Sequence, residues 1–298
     1  MSNSIQHSTH RKITISKTSI SRRKITNYVM LGLCGVCVLL ALIPLGAIMF
    51  YTIREGLSAI NWNFFTELPK PVGELGGGMK NALIGTCALV GMSSLIGVPF
   101  GVLAGVYLAE YGSNRIANII RFLTEVMSGL PSIIVGIFAY TVVVKPAGHF
   151  SAYAGAIALA ILMIPVITKT TEELLKLVPV TYREAGLALG APKWVVILRV
   201  VLSTAGKGIV TGVMLSIARA AGETAPLIFT AFGNQFMHKG FNEPIAALPL
   251  QIYTYAKAPY DDWHAQAWAG AAVLIVLVFI LSVVVRAVTG GGKFNIQH

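Results

Sequence analysis

A chain of 298 residues that is 55% hydrophobic and only 12% charged, with a mean hydropathy of +0.72, is too apolar for a soluble globular domain; such domains sit nearer ~45–50% apolar and ~25% charged. The formal charge of +11 does not indicate a nucleic-acid partner, because the basic residues are scattered instead of lining one groove. Cys34, Cys37 and Cys87 all lie inside apolar runs, so they imply neither a disulfide framework nor a metal site and read as soft packing residues.

In chain order, residues 1–24 contain six basic residues and no acid, a composition that predicts a disordered tail, ending near residue 27, against an anionic leaflet. A bilayer core of roughly 30 Å needs about 20 apolar helical residues to cross it. The run Ile25–Ile53 has no Asp, Glu, Lys or Arg. It is too long for a signal-peptide core and lacks a small-residue cleavage site, so it is expected to persist as the first span. Gly73 to Asn81 mimics a phosphate loop, but Met79, Lys80 and Asn81 follow Gly78 where such a loop needs Lys and then Ser or Thr. A turn leading into a helix is expected there, and the chain is not expected to hydrolyse ATP itself.

Further uncharged runs cover Asn81–Ala109, Val126–Val144, Pro146–Thr168 and Trp263–Val285, and Gly208–Phe232 is apolar except for Arg219 and Glu223. The expected fold is therefore an all-α membrane protein with six transmembrane helices, one permease-like domain over 28–288, and a short tail at 289–298. Glu125 follows Arg121 by four residues, which suits either a snorkelling pair at the inner interface or a gate contact. His149, His238 and His264 have no metal-ligand spacing. No internal repeat is visible.

Orientation follows from charge. With the N-terminus inside, six basic residues fall in 1–27, two in 110–121, six in 169–207 and two in 286–298, which is 16 of the 23. Short cytoplasmic loops carry that excess, so both termini are expected inside.

The segment 169–206 between spans four and five is the most informative soluble piece. Thr181-Tyr182-Arg183-Glu184 has the form of a capping box. It predicts a short helix to Leu189 that stops at Gly190, a residue that tolerates the left-handed closing conformation, with Pro192 starting the next helix. Leu187, Ala188, Trp194 and Val195 are apolar for a loop in water. They suit a helix on the membrane surface or a docking knob for a cytoplasmic partner.

A charged group at mid-membrane costs roughly 2.5–3.5 kcal/mol on insertion scales, so Arg219 and Glu223 are expected to face the bundle interior. Four residues apart, they share one helix face with Gly208, Gly212 and Ser216, small residues that permit close approach or leave room for a pathway. One reading is a buried pair that fixes helix register. The other is an anion relay, in which Arg219 offers a forked donor to an oxyanion. Glu223 then accepts from a protonated ligand oxygen, which phosphate has at neutral pH and sulfate lacks. Gly222 and Pro226 bracket the pair and predict a bend, tolerated at membrane depth only in protein or a watery cavity.

Several strings resemble a known family. Glu184-Ala185-Gly186, Gly190, Val200 and Leu202-Ser203 are similar to the docking loop of binding-protein-dependent ABC importers, matching at Glu184, Ala185, Gly190 and Leu202 and departing at Gly186, Val200 and Ser203. Ala218-Arg219-Ala220-Ala221-Gly222-Glu223-Thr224-Ala225-Pro226-Leu227 resembles the signature of phosphate-importer permeases. Gly76-Gly77-Gly78-Met79-Lys80-Asn81-Ala82-Leu83-Ile84-Gly85-Thr86, Gly97-Val98-Pro99-Phe100-Gly101 and Gly129-Leu130-Pro131-Ser132-Ile133-Ile134-Val135-Gly136 agree. The Gly-Glu-Thr-Ala-Pro ending looks like the A-type of the two permeases.

The resemblance implies a type I ABC importer permease in the bacterial inner membrane. It implies a substrate pathway at Arg219, Glu223, Ser216 and Thr224, and an ATPase-coupling loop at Glu184, Ala185, Gly186, Gly190 and Leu202, with no catalytic residue, metal or cofactor. The implied partners are a cytoplasmic ATPase dimer, a C-type second permease, an extracytoplasmic phosphate-binding protein, phosphate and membrane lipid. Molybdate or sulfate permeases are the alternative within importers. A secondary transporter would not explain the docking loop, and a membrane enzyme has no catalytic constellation to support it.

Overall fold

A computed structural model describes residues 17–72, 74 and 76–290. Residues 1–16 of the expected N-terminal tail and 291–298 of the C-terminal one lie outside the described residues. The first helix, α1 (Lys17–Leu57), already includes residues 17–27 of the segment that composition assigned to the tail. Its run from Ile25 to Ile53 is apolar around the whole circumference, as a helix surrounded by lipid requires.

Beyond Tyr51 the chain forms a second compact unit. A short helix α2 (Trp62–Thr66), capped by the Asn61 side chain accepting from the Phe64 amide at 2.8 Å, precedes α3 (Lys80–Tyr111). Then come α4 (Arg115–Gly129) and α5 (Ser132–Ala139), the latter running on through a π-helical segment, Tyr140–Val144, into α6 (Lys145–Ala147). The next long helix is α7 (Ala152–Lys176). A surface helix, α8 (Val180–Ala188), leads into α9 (Lys193–Val196), a second π-helical segment at Ile197–Val201, and α10 (Leu202–Ala221). Two short helices, α11 (Ala225–Ile228) and α12 (Leu248–Ala256), precede the terminal α13 (Asp261–Gly290). Among the described residues, five helices are long and apolar enough to cross a membrane, and the bent pair 115–129 and 132–147, taken as one span, is a sixth.

The principal pairing is α3 with α7, and glycine makes it close. A Cβ on Gly101 would lie 2.7 Å from the Ile167 Cβ, and one on Gly105 would lie 2.5 Å from the Thr171 Cβ. With Gly97 against Met163, these form a small-residue stripe at four-residue spacing, which lets two backbones approach where lipid supplies no hydrophobic drive. The same device joins α7 to α10, where Gly208 faces Leu174 and Gly212 faces Thr170.

Two expectations need correction. The third span does not run straight through 126–144: α4 and α5 meet at 108°. Leu130 precedes Pro131 and is forced extended (ψ 136°), Pro131 is itself extended (ψ 136°), and two such residues turn the chain. The fifth span does not occupy 208–232. Its helical stretch starts at Lys193 and ends at Ala221, because Gly222 closes α10 and Pro226 sits in the first turn of α11. The segment after it is partly buried: Ile245 to Leu250 are all buried, and Ile245, Ala247 and Leu250 pack with Leu89, Leu159 and Leu227.

Candidate functional site: a cavity between two broken helices

Both helix breaks open on one cavity of about 210 Å³. The α4–α5 break contributes Ser128, Leu130, Pro131 and Ser132; α7 contributes Leu162, Met163 and Val166; and the end of α10 contributes Ser216, Arg219 and Ala220, with Glu223 just beyond it. Ser132 opens α5, so the unpaired amides of a helix N-terminus lie at the rim, a favourable setting for negative charge.

Of the four expected pathway residues, Ser216, Arg219 and Glu223 line this cavity. Ser216 is 3% exposed. Thr224 does not line it; it precedes α11, and its backbone oxygen accepts from the amides of Leu227 and Ile228. The pair is also looser than helix periodicity predicts. Because α10 stops at Ala221, Glu223 reaches Arg219 through a turn, with Nε to Oε1 at 3.7 Å. Only the carboxylate is held within the chain: the Glu223 side chain is 19% exposed, the Arg219 side chain 70%. The expectation that both charges face the interior is thus met by Glu223 alone. Arg219 projects to the open side of the cavity with its fork accessible, a form suited to bidentate contact with a tetrahedral oxyanion.

At the other end of α10, the coupling residues occupy a compact elbow. The capping box does not form: Pro179 takes the N-cap position, so Thr181 is already helical and no side chain caps α8. Glu184 and Ala185 are exposed on α8. Gly190 adopts φ +80° with nothing near the missing Cβ, so its role is conformational. Gly186 faces Val196, whose Cγ2 would lie 2.9 Å from an added Cβ, which gives a packing reason for glycine at the position where the docking-loop pattern has alanine. Leu202 packs against the cluster of Leu175, Val178, Val196, Val201 and Ile209. Leu187 and Trp194 stay exposed.

Sequence spacing missed two further ionic contacts, because both join residues far apart in the chain. Arg121 does not pair with Glu125; its Nε and Nη2 donate to Glu172 Oε1 at 3.0 and 2.7 Å, and Lys176 joins them. Arg183, inside the misread capping box, donates through Nε and Nη2 to Glu110 Oε1 at 3.0 and 2.8 Å. No group of three or more metal-ligating side chains occurs among the described residues.

Residues 97–290 match the family described as binding-protein-dependent transport system inner membrane component. A phosphate transport system permease protein PstA of Haemophilus influenzae is 48% identical over 265 residues, covering 89% of this chain and 94% of that protein. The protein of that name from Yersinia pestis is 42% identical, covering 89% and 90%. A probable one from Methanocaldococcus jannaschii is 37% identical, covering 89% and 94%. Among solved structures, an inward-facing MetNI methionine ABC transporter chain superposes with a TM-score of 0.58 at 18% identity, covering 71% of this chain and 96% of that one. An amino acid ABC transporter gives 0.54. These two share the fold, that of a type I importer permease.

Proposed function

Because the chain belongs to the binding-protein-dependent inner membrane transport components, and within them to the PstA permeases, we propose that it carries inorganic phosphate through the membrane as one permease subunit of an ATP-driven importer. It is a multi-pass inner-membrane transport component. In this reading a cytoplasmic ATPase dimer docks on α8, a second permease of C-type completes the pathway, and an extracytoplasmic binding protein delivers phosphate. Both termini face the cytoplasm, with 16 of 23 basic residues on that side.

The observation that carries the reading is Arg219, 70% exposed beside the half-buried Glu223 on a polar cavity. A pair kept only to staple the bundle would bury both charges and bond them directly. An arginine with donors to spare receives the oxyanion, Ser216 offers a neutral hydroxyl, and Glu223 accepts a hydrogen bond from the protonated oxygen that phosphate carries near neutral pH. Glu184, Ala185, Gly186, Gly190 and Leu202 form the knob through which the ATPase moves α10.

Two measurements test this. The chain should co-purify with an ATPase subunit; a chain that imports phosphate without one is a secondary transporter. At matched membrane abundance, the Arg219→Gln/Glu223→Gln double variant should assemble but not import phosphate. Recovered import in the double variant would sink the relay and leave the pair as a staple.

A further inference from the structure

The docking segment carries a guanidinium that faces away from the partner side. Arg183 sits on α8 next to the exposed Glu184, yet its own side chain is only 20% exposed. Besides its two bonds to Glu110, it donates through Nη1 to the Val178 carbonyl at 2.6 Å and through Nη2 to the Leu175 carbonyl at 2.9 Å. Those carbonyls lie in the last turn of α7 and just beyond it, where the helix dipole favours a cation. Glu110, 5% exposed in its side chain, is one residue from the end of α3. One planar fork therefore joins the docking helix to the ends of both α3 and α7. The other limb is tied to the same place: Lys193, at the start of α9, donates to the Glu110 backbone carbonyl at 3.0 Å and stands 4.1 Å above the Tyr111 ring.

We propose that Glu110 and Arg183 are the mechanical link between the docking helix and the membrane helices, positioning residues whose loss lets ATP hydrolysis proceed without moving phosphate. The inference rests on α8 being the docking helix. A push on α8 meets no slack, because Arg183 engages α3 and α7 directly. The glycine contacts from α3 to α7 and from α7 to α10 then pass the displacement to the helix that bears Arg219, with few side chains between to absorb it. A lysine in place of Arg183 can pair with Glu110 but cannot also span two carbonyls, and a glutamine at 110 removes the charge while keeping an acceptor. The lysine keeps the charge pair, while the glutamine leaves a guanidinium that the Leu175 and Val178 carbonyls still hold; both variants weaken the link.

The test uses the complete importer in liposomes, with the ATPase, the second permease and the phosphate-loaded binding protein, and reads ATP hydrolysed and radiolabelled phosphate internalised together. Arg183→Lys and Glu110→Gln should keep hydrolysis within about twofold, while phosphate imported per ATP falls about tenfold, in the usual range for a coupling between sites. An unchanged ratio in both variants, with the two rates falling together or not at all, would overturn the proposal. So would loss of the ATPase from both purified complexes, since Arg183 would then merely shape the docking helix. Failure of the unmodified importer to take up phosphate would instead overturn the proposed function, so the two ideas fail separately.

Discussion

Two arginines at opposite ends of one helical path show how the same side chain is put to opposite uses. Arg183 donates four hydrogen bonds, to a carboxylate and two carbonyls, and lies largely out of solvent. Arg219 has one carboxylate at 3.7 Å and is 70% exposed. The first has little capacity left for a ligand and acts as a joint. The second keeps its fork available, in a segment where the chain leaves helical geometry and the lining turns polar.

The comparison predicts opposite responses to the same substitution. Arg219→Gln should cut phosphate uptake by about 10- to 100-fold, the worth of a charge-assisted bond of about 1.5–3 kcal/mol, while the thermal unfolding midpoint of the purified protein stays put. Arg219→Lys should rescue only part of the uptake, since a point charge lacks the planar fork. Arg183→Gln should lower the unfolding midpoint sharply, because removing one partner of a buried pair costs about 3–5 kcal/mol. Equal midpoints for Arg183→Gln and Arg219→Gln would erase the distinction between joint and receptor.

Smaller effects test the elbow between them. Gly190→Val forces a β-branched residue to φ +80°, a strain of about 1–3 kcal/mol. It should weaken ATPase association in a pulldown while leaving the chain inserted. The smallest effect is expected at Thr181, where no side-chain cap exists to be lost. Thr181→Ala should shift stability by less than about 0.5 kcal/mol, and a drop of 1 kcal/mol in denaturant unfolding would restore the capping box.

The membrane class and the six apolar runs were legible because hydrocarbon admits only long apolar segments, and that signal needs no partner. The Arg219–Glu223 pair was visible because its members lie four residues apart, although the helix that suggested their contact ends before Glu223. What sequence hid was non-local or masked by composition. Glu172 takes its arginine from 51 residues away and Arg183 its carboxylate from 73, so no local spacing reports them. The break at Leu130–Pro131 sits inside an unbroken apolar run, and hydropathy does not register a turn made of apolar residues. The stretch Ile245–Leu250 is too short to read as a span, so hydropathy does not report its burial. At Thr181 the motif was present but Pro179 had already taken the starting position.

The glycine stripe on α3 also has a phase. Gly97, Gly101 and Gly105 recur every four residues, while each residue turns a helix by about 100° and advances it about 1.5 Å. Inserting a single residue between Gly97 and Gly101 would swing one part of the stripe away from α7 and bring larger side chains into the seam. A slide of one helical turn, about 5.4 Å, would instead set Gly101 near where Gly97 had been and keep much of the fit. Contact between α3 and α7 therefore has preferred stops with steep ground between them, like the teeth of a ratchet, and displacement along this seam is quantised by the helix repeat.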